Sequence, residues 1–364
     1  MVTKLVIENL KHRPIRTTLT VVAIAIQVTL VLTIVGLSRG LIEASRSRTR
    51  GTGADIMIRP PGTSVIGMTY APMSEALIDF IQKQPHVALA TGVLVHPVGG
   101  LDTIQGIDYD SFTRMSGGLR FLEGGPFQQD RDILVDEYFA RQKQLKPGSK
   151  VTLGNVEWTV RGIVESGKLS RTFVQLRVLQ ELTANPGRVS AIYVKADDPR
   201  NVQTLVNQLK QQLPGYQIYS IEEFVSLVSV ENIPGLNPFI TVIVGLAVVF
   251  GFIVVFLAMY TAVLERTREI GILKALGASP PYVLGMLLRE TVLLALAGSL
   301  LGIGLSFLTR WLIMALVPAS LPVVNVPDWW WRAALISLAA AVLGAVYPGL
   351  KAARQDAIEA LAYE

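Results

Sequence analysis

The stretch ERTREIGILKALGASPP, residues 265–281, is dense in charge and lies between two long apolar runs. Arg266, Ile270, Leu273 and Gly277 recur at i, i+4, i+7 and i+11, a spacing that lines them along one face of a helix as an apolar stripe on a charged rod. Glu265 with Arg268, and Arg266 with Glu269, stand at i, i+3, where each pair adds a few tenths of a kcal/mol to a short helix in water. Gly277 suits the position just past the helix end, Ser279 can cap the next helix, and Pro280 fits its first turn. Such residues pair ions and dock a protein; they do not cleave bonds. The expected element is a stiff elbow, with Glu265, Arg266, Arg268, Glu269, Ile270, Gly271, Leu273, Lys274 and Gly277 as its coupling residues.

Groups for covalent chemistry are missing. No GxxxxGK[ST] phosphate loop occurs, and PGSK at 147–150 lacks the required order and upstream glycine, so it reads as a turn before a strand. The expectation is that this chain binds no nucleotide itself, holds no cofactor and is not an enzyme. HExxH and GxSxG are absent, and His12, His86 and His96 are too scattered for a triad or a shared metal. Asp102, Asp108 and Asp110 sit among apolar residues without EF-hand spacing and read as solvated turn carboxylates. With no cysteine, disulfides and thiolate chemistry are excluded.

The elements that must position the elbow are apolar. Of 364 residues 51% are hydrophobic and 17% charged, and the mean hydropathy is +0.44, which marks a membrane protein. Thr17–Ser38, Asn232–Leu264, Thr291–Thr309 and Ala333–Leu350 lack Asp, Glu, Lys, Arg and His, and each approaches the ~20 residues of a spanning helix. The first run is longer than the apolar core of a signal peptide and reads as a retained anchor. Within these runs Gln27 is the main polar residue, read as a contact between helices, and no intramembrane charge is expected.

Lys4, Lys11, Arg13 and Arg16 precede the first span; Arg266, Arg268, Lys274 and Arg289 lie between the second and third; the link 317–328 has no basic residue. The positive-inside tendency then places both termini and 265–290 in the cytoplasm, and 317–328 outside, with Trp329, Trp330 and Trp331 at the outer interface. The net charge of +5 reads as topology, not as nucleic-acid binding.

Residues 1–45 are thus read as an amphipathic N-terminal helix and span one, 46–232 as an extracytoplasmic α+β domain, 233–317 as spans two and three around the elbow, and 318–364 as outer loop, span four and tail. In the domain, KVTLGNVEWTVRGIVE (150–165), DILVDEY (132–138) and SAIYVKA (190–196) read as strands, and MSEALIDFIQKQ (73–84) and NVQTLVNQLKQQL (201–213) as helices. Its outer parts, 46–103 and 187–230, are read as one subdomain split by a β-rich insert at 104–186. Gly298 with Gly302, Gly36 with Gly40, and Ala340 with Gly344 allow close helix packing, either within the chain or in a dimer.

ERTREIGILKALGAS resembles the signature between spans two and three of the MacB/FtsX-like ABC-transporter permeases, which include lipoprotein-releasing and macrolide-exporting systems. LVIENLKHRPIRTTLTVVAIAI is similar to that family's amphipathic helix running into span one, and YPGLKAARQDAIEALAYE to its C-terminal signature. Ala357 stands where the family commonly has proline. The resemblance covers essentially the whole chain and implies a permease subunit in the inner (cell) membrane. Its implied partners are a separate ABC ATPase carrying ATP and Mg, a second permease copy or sister permease, membrane lipid, and possible use of a periplasmic adaptor. ATP-driven movement of the elbow would pass to the ectodomain to export or extract a substrate, or to control a periplasmic factor. The alternative is a membrane-anchored sensor or enzyme whose ectodomain acts without an ATPase.

Overall fold

A computed structural model describes residues 14–63, 71–99, 102–229, 235–316 and 322–355. The N-terminal amphipathic helix with His12, much of the 317–328 link, and the tail with Ala357 lie outside the described residues. Among those described, 14–39, 235–315 and 323–355 form one compact unit, and 40–229 with 316 and 322 the other.

Helix α1, Pro14–Arg50, begins in the first unit and ends in the second. The second unit is built on one mixed sheet. Its elements, in chain order, are β1 (Ile56–Arg59), β2 (Met73–Ser74), α2 (Ala76–Gln82), β3 (Val87–Gly99), β4 (Asp102–Ile107), α3 (Tyr109–Ser116), β5 (Phe121–Gly124) and β6 (Asp132–Asp136). Then come α4 (Glu137–Lys143), β7 (Lys150–Leu153), β8 (Val156–Val164), β9 (Thr172–Gln175), α5 (Leu176–Leu182), β10 (Arg188–Val189), β11 (Ala191–Ala196), α6 (Val202–Gln212), β12 (Gln217–Ser220) and α7 (Ile221–Leu227).

The strand order is β12-β1-β11-β3-β4-β9-β6-β8-β5, with β7 beside β8 and a separate β2–β10 pair. In the main sheet, β12, β1, β11 and β3 lie on one side of the β3–β4 junction and β4, β9, β6, β8 and β5 on the other. β4–β9 and β6–β8 are parallel; the other pairs are antiparallel. Alternation sends Ile56, Ile58, Ile133, Val135, Ile192 and Val194 to one face, under α2, α4, α5 and α6, and Met57, Leu134 and Tyr193 to the other, under α3 and α7. Because both faces are covered, β1 and β6 are buried along their whole length.

The run 150–165 forms a hairpin, β7 and β8, turning through Gly154 and Asn155, whose φ values of 60° and 61° are those of a two-residue primed turn. DILVDEY becomes a strand only to Asp136: its carboxylate accepts from the Phe139 N–H at 2.7 Å, so the chain turns there into α4.

The first unit holds α1 up to Arg39, α8 (Leu236–Glu265), α9 (Thr267–Ala275), α10 (Pro280–Leu316) and α11 (Pro327–Arg354). α1, α8, α10 and α11 are long and apolar enough to cross a membrane. The small residues serve packing within the chain. A Cβ at Gly298 would fall 2.7 Å from Ile24 Cβ of α1, one at Gly302 2.7 Å from the Ala25 carbonyl oxygen, and one at Gly344 2.8 Å from the Phe252 oxygen of α8.

Gln27 packs on Gly251 of α8, where a Cβ would overlap its amide. Among the described residues that amide makes no hydrogen bond, so the expected bond between helices is replaced by packing. At the start of α11, Asp328 takes a bidentate contact from Arg39 at 2.7 and 2.8 Å. Arg332 stacks over Trp329 and Trp331, at 5.5 and 5.3 Å from the ring centroids.

Candidate functional site

The elbow is α9 with its two junctions. α8 and α9 are nearly one helix, interrupted only at Arg266 (φ −112°, ψ 14°). Thr267 folds its hydroxyl back onto the Val263 and Leu264 carbonyls at 3.1 and 2.9 Å, satisfying acceptors that the interruption frees. At the other end Gly277 has φ +94°. Its N–H donates to Lys274 O at 2.9 Å, and the Ala278 N–H donates to Leu273 O at 3.0 Å, the paired bonds of a Schellman cap.

Ser279 does not cap α10 with its hydroxyl; its carbonyl accepts from the Tyr282 and Val283 N–H groups at 3.0 and 3.2 Å. Pro281 has no N–H to offer a cap at that position.

The inward face of α9 is Arg266, Thr267, Ile270 and Gly271, all buried, continued by half-buried Lys274. Ile270 sits in a core with Ile24, Val263, Val283 and Leu287. Glu265, Arg268, Glu269, Ile272, Ala275, Leu276 and Gly277 face outward, while Leu273 stands on the border. The proposed coupling residues therefore divide, and the stripe drawn through Leu273 and Gly277 is turned by one position: the structure runs it through Lys274. Outward apolar side chains are Ile272, 47% exposed, and Leu276, 80% exposed.

Charge explains that rotation. Arg266 Nη1 donates to Glu290 Oε2 at 3.0 Å, and Arg16 Nη2 donates to Glu290 Oε1 at 2.9 Å. Glu265 approaches Arg16 Nη1 at 3.7 Å. Glu290 is fully buried and Arg266 is 3% exposed. The expected i, i+3 pairs along the helix are thus replaced by pairs between helices. A buried carboxylate holding two guanidiniums offers far more Coulomb energy than an exposed pair on one helix. Arg268 and Glu269 make no ion pair among the described residues.

Lys274 Nζ donates to the carbonyls of Ala353 (2.9 Å) and Gln355, at the end of α11 where the last carbonyls have no helical N–H donor. One short helix is therefore tied to α1 and α10 through Arg266 and Glu290, and to the end of α11 through Lys274.

Two residues of this ion-pair group were not among the expected coupling residues, Glu290 and Arg16. Glu290 lies just before a charge-free run, yet the helix begins at Pro280 and buries it, so the packed unit holds a charge next to the expected span. The signal was present: Val283, Leu287, Glu290 and Leu294 follow the helical repeat, so a charge interrupts a buried stripe. Among the described residues no group of three or more His, Cys, Asp or Glu could hold a metal ion.

Four apolar helices flanking a mixed α/β domain, with a tied amphipathic elbow between the second and third, define a membrane protein with a large inserted domain. The MacB-like periplasmic core domain family matches residues 17–212, and the FtsX-like permease C-terminal family matches 241–357. The chain belongs to the MacB/FtsX-like permease family of ABC transporters, and its inserted domain is extracytoplasmic.

A similar relative is the macrolide export ATP-binding/permease protein MacB of Escherichia coli, 24% identical over 99% of this chain and 60% of the relative. The protein of the same name from Salmonella typhi is 27% identical over 96% of this chain and 58% of its own length. The chain thus spans about 60% of the curated relatives it matches. Among solved structures, the periplasmic region of MacB from Actinobacillus actinomycetemcomitans is 18% identical, covering 51% of this chain and 97% of that one, with a TM-score of 0.37. The extracellular domain of the transporter YknZ from Gram-positive bacteria is 16% identical over 46% and 99%, with a TM-score of 0.36.

Proposed function

We propose that this chain is the permease component of an ABC transporter whose elbow receives movement from an ATPase. The observation that carries the reading is the two-sided character of α9: its inner side is fixed to three other helices by Arg266 and Lys274, while its outer side presents Arg268 and Glu269, which make no ion pair among the described residues, beside exposed Ile272 and Leu276. An apolar knob rimmed by charge is the composition of a protein-docking surface.

ATP and Mg belong to that partner, because residues 1–364 contain no phosphate loop. Glu265, Arg266, Arg268, Glu269, Ile270, Gly271, Leu273, Lys274 and Gly277 divide the work: the outward residues touch the partner, the inward ones carry its movement to α1, α10 and α11. α1 continues from the membrane unit into the inserted domain and is the route by which movement reaches it. Both termini and the elbow are cytoplasmic in this reading, and a second permease copy or sister chain completes the transporter. The names of the relatives make macrolide-like compounds one substrate class for trial, and a periplasmic adaptor one further partner.

The test uses Glu269→Arg and Leu276→Asp, both on exposed positions, in the full chain together with an ABC ATPase subunit that it stimulates. Association should weaken about tenfold or more and ATP hydrolysis stimulated by the permease should fall, with unchanged folding of the chain. Full association and full stimulation in both variants would make α9 a linker and remove the basis of the proposal.

A further inference from the structure

The inserted domain contains a cleft that the elbow chemistry does not use. β4 ends at Ile107 while the antiparallel β3 runs back to Val87, and α3 and α5 begin at the carboxyl ends of the adjacent parallel strands β4 and β9. This offset leaves a cleft of ≈ 690 Å³ beyond the strand ends. Parallel α/β sheets hold ligands at such places, and the volume suits a small organic molecule.

The lining is net acidic, with three carboxylates to one guanidinium, and has an aromatic wall. Glu75, Asp108 and Asp110 face a single cation, Arg177, whose side chain is exposed and already within 3.7 Å of Glu181. Asp108 is committed to the α3 cap, accepting from the Ser111 N–H at 2.9 Å, and Glu75 accepts from the buried Gln180 amide at 2.8 Å. The Asp110 carboxylate has no partner among the described residues. Tyr109 meets Phe127 edge to face with centroids 5.8 Å apart. Burial, and then the Asp110 carboxylate, push the Tyr109 phenol above its ordinary value, so the ring stays neutral at physiological pH.

We propose that this cleft binds an organic cation carrying an ammonium group on an apolar body. The ammonium lies between Asp110, Glu75 and the Tyr109 ring, and the apolar body rests on Ile78, Phe127 and Leu176. Carboxylates beside aromatic faces attract ammonium groups and repel anions of equal size. A metal ion is the weaker occupant, since no three acidic or histidine side chains converge among the described residues. The site stands apart from the elbow, and binding is read with no ATPase present, so its failure and that of the coupling proposal are distinguishable.

The experiment is fluorine NMR of para-fluorobenzyl trimethylammonium with the full chain in lipid nanodiscs, empty nanodiscs giving the background from partition. Saturable broadening above that background is expected, with none for para-fluorobenzenesulfonate. The double variant Glu75→Gln/Asp110→Asn should weaken binding about tenfold or more. Asp110→Lys alone should do the same, and it removes no bond of the fold, so it serves if the double variant misfolds. Broadening equal to empty nanodiscs, equal broadening by the anionic probe, or undiminished binding in a folded Asp110→Lys variant would overturn the proposal.

Discussion

Replacing Glu290 with glutamine is the sharpest test of how the elbow is held. Among the described residues, Arg16, Arg266, Glu265 and Glu290 form a group of zero net charge around one fully buried carboxylate. The Glu290→Gln side chain has nearly the same shape, but it carries one acceptor oxygen where two guanidiniums now donate, and its NH2 must face one of them. Arg16 keeps Glu265 at 3.7 Å; Arg266, 3% exposed, loses the Glu290 counter-charge. Breaking a buried pair costs about 3–5 kcal/mol, and the surviving contact of Arg16 favours the lower end, ~3 kcal/mol. That is roughly a hundredfold in the unfolding equilibrium.

The assay is SDS titration of the full chain in mixed micelles, followed by tryptophan fluorescence. Arg268→Gln, an exposed change, serves as control and should stay within about 0.5 kcal/mol of wild type. Arg266→Met with Glu290→Leu removes one charge of each sign, leaves Arg16 with Glu265, and should recover most of the loss. Glu290→Gln within about 0.5 kcal/mol of wild type would refute the reasoning from a buried, balanced charge. So would a double variant as unstable as the single.

Two further outcomes follow from local geometry. Gly302→Ala should lower SDS resistance by about 1–3 kcal/mol, because the new methyl would stand 2.7 Å from the Ala25 carbonyl oxygen and push α10 from α1; an unchanged midpoint would mean that the two helices yield freely. In the inserted domain, burial first holds the Asp136 carboxyl above its ordinary 3.8, offset in part by the Phe139 N–H, Arg171 and Arg48, with Glu137 raising it further. A raised folded value means that folding favours the protonated acid, so this contribution is complete below the ordinary value and is lost as pH rises through the folded one. Asp136→Asn keeps a cap acceptor and does not titrate. Its stability relative to wild type, read by thermal unfolding at a series of pH values, should therefore improve from acid to neutral pH; a difference independent of pH would contradict the shift.

The spans were legible because a spanning helix needs ~20 residues without charge, a signal carried by composition alone. The strands at 150–165, 132–136 and 191–196 were legible from alternation and from turn residues such as Gly154 and Asn155, since those signals are local. Pairing was not: the parallel contacts of β4 with β9 and β6 with β8 join residues far apart in sequence, and no local pattern states which strands meet. The same holds for Arg16 and Glu290, which are separated by 274 positions and are linked only once α1 and α10 pack through Gly298 and Gly302. Asp108 and Asp110 were read as solvated turn carboxylates, and both are exposed, at the cap and in the first turn of α3; the cleft beside them depends on where β3 outruns β4.

The orientation of the elbow also has a physical reason that reaches beyond this helix. An amphipathic helix on a membrane protein is usually assigned a face from its apolar residues, and Ile270, Leu273 and Gly277 give one answer. The helix instead turns Arg266 and Lys274 inward, because Glu290 and the free carbonyls of α11 are partners that water cannot match inside a packed unit. Satisfying those groups leaves Ile272 and Leu276 exposed, an arrangement that hydrophobicity alone would oppose. Polar satisfaction in the core thus creates the apolar knob on the surface. A sequence that lost Glu290 would lose the reason for the helix to face this way, so the buried carboxylate and the exposed apolar knob stand or fall together.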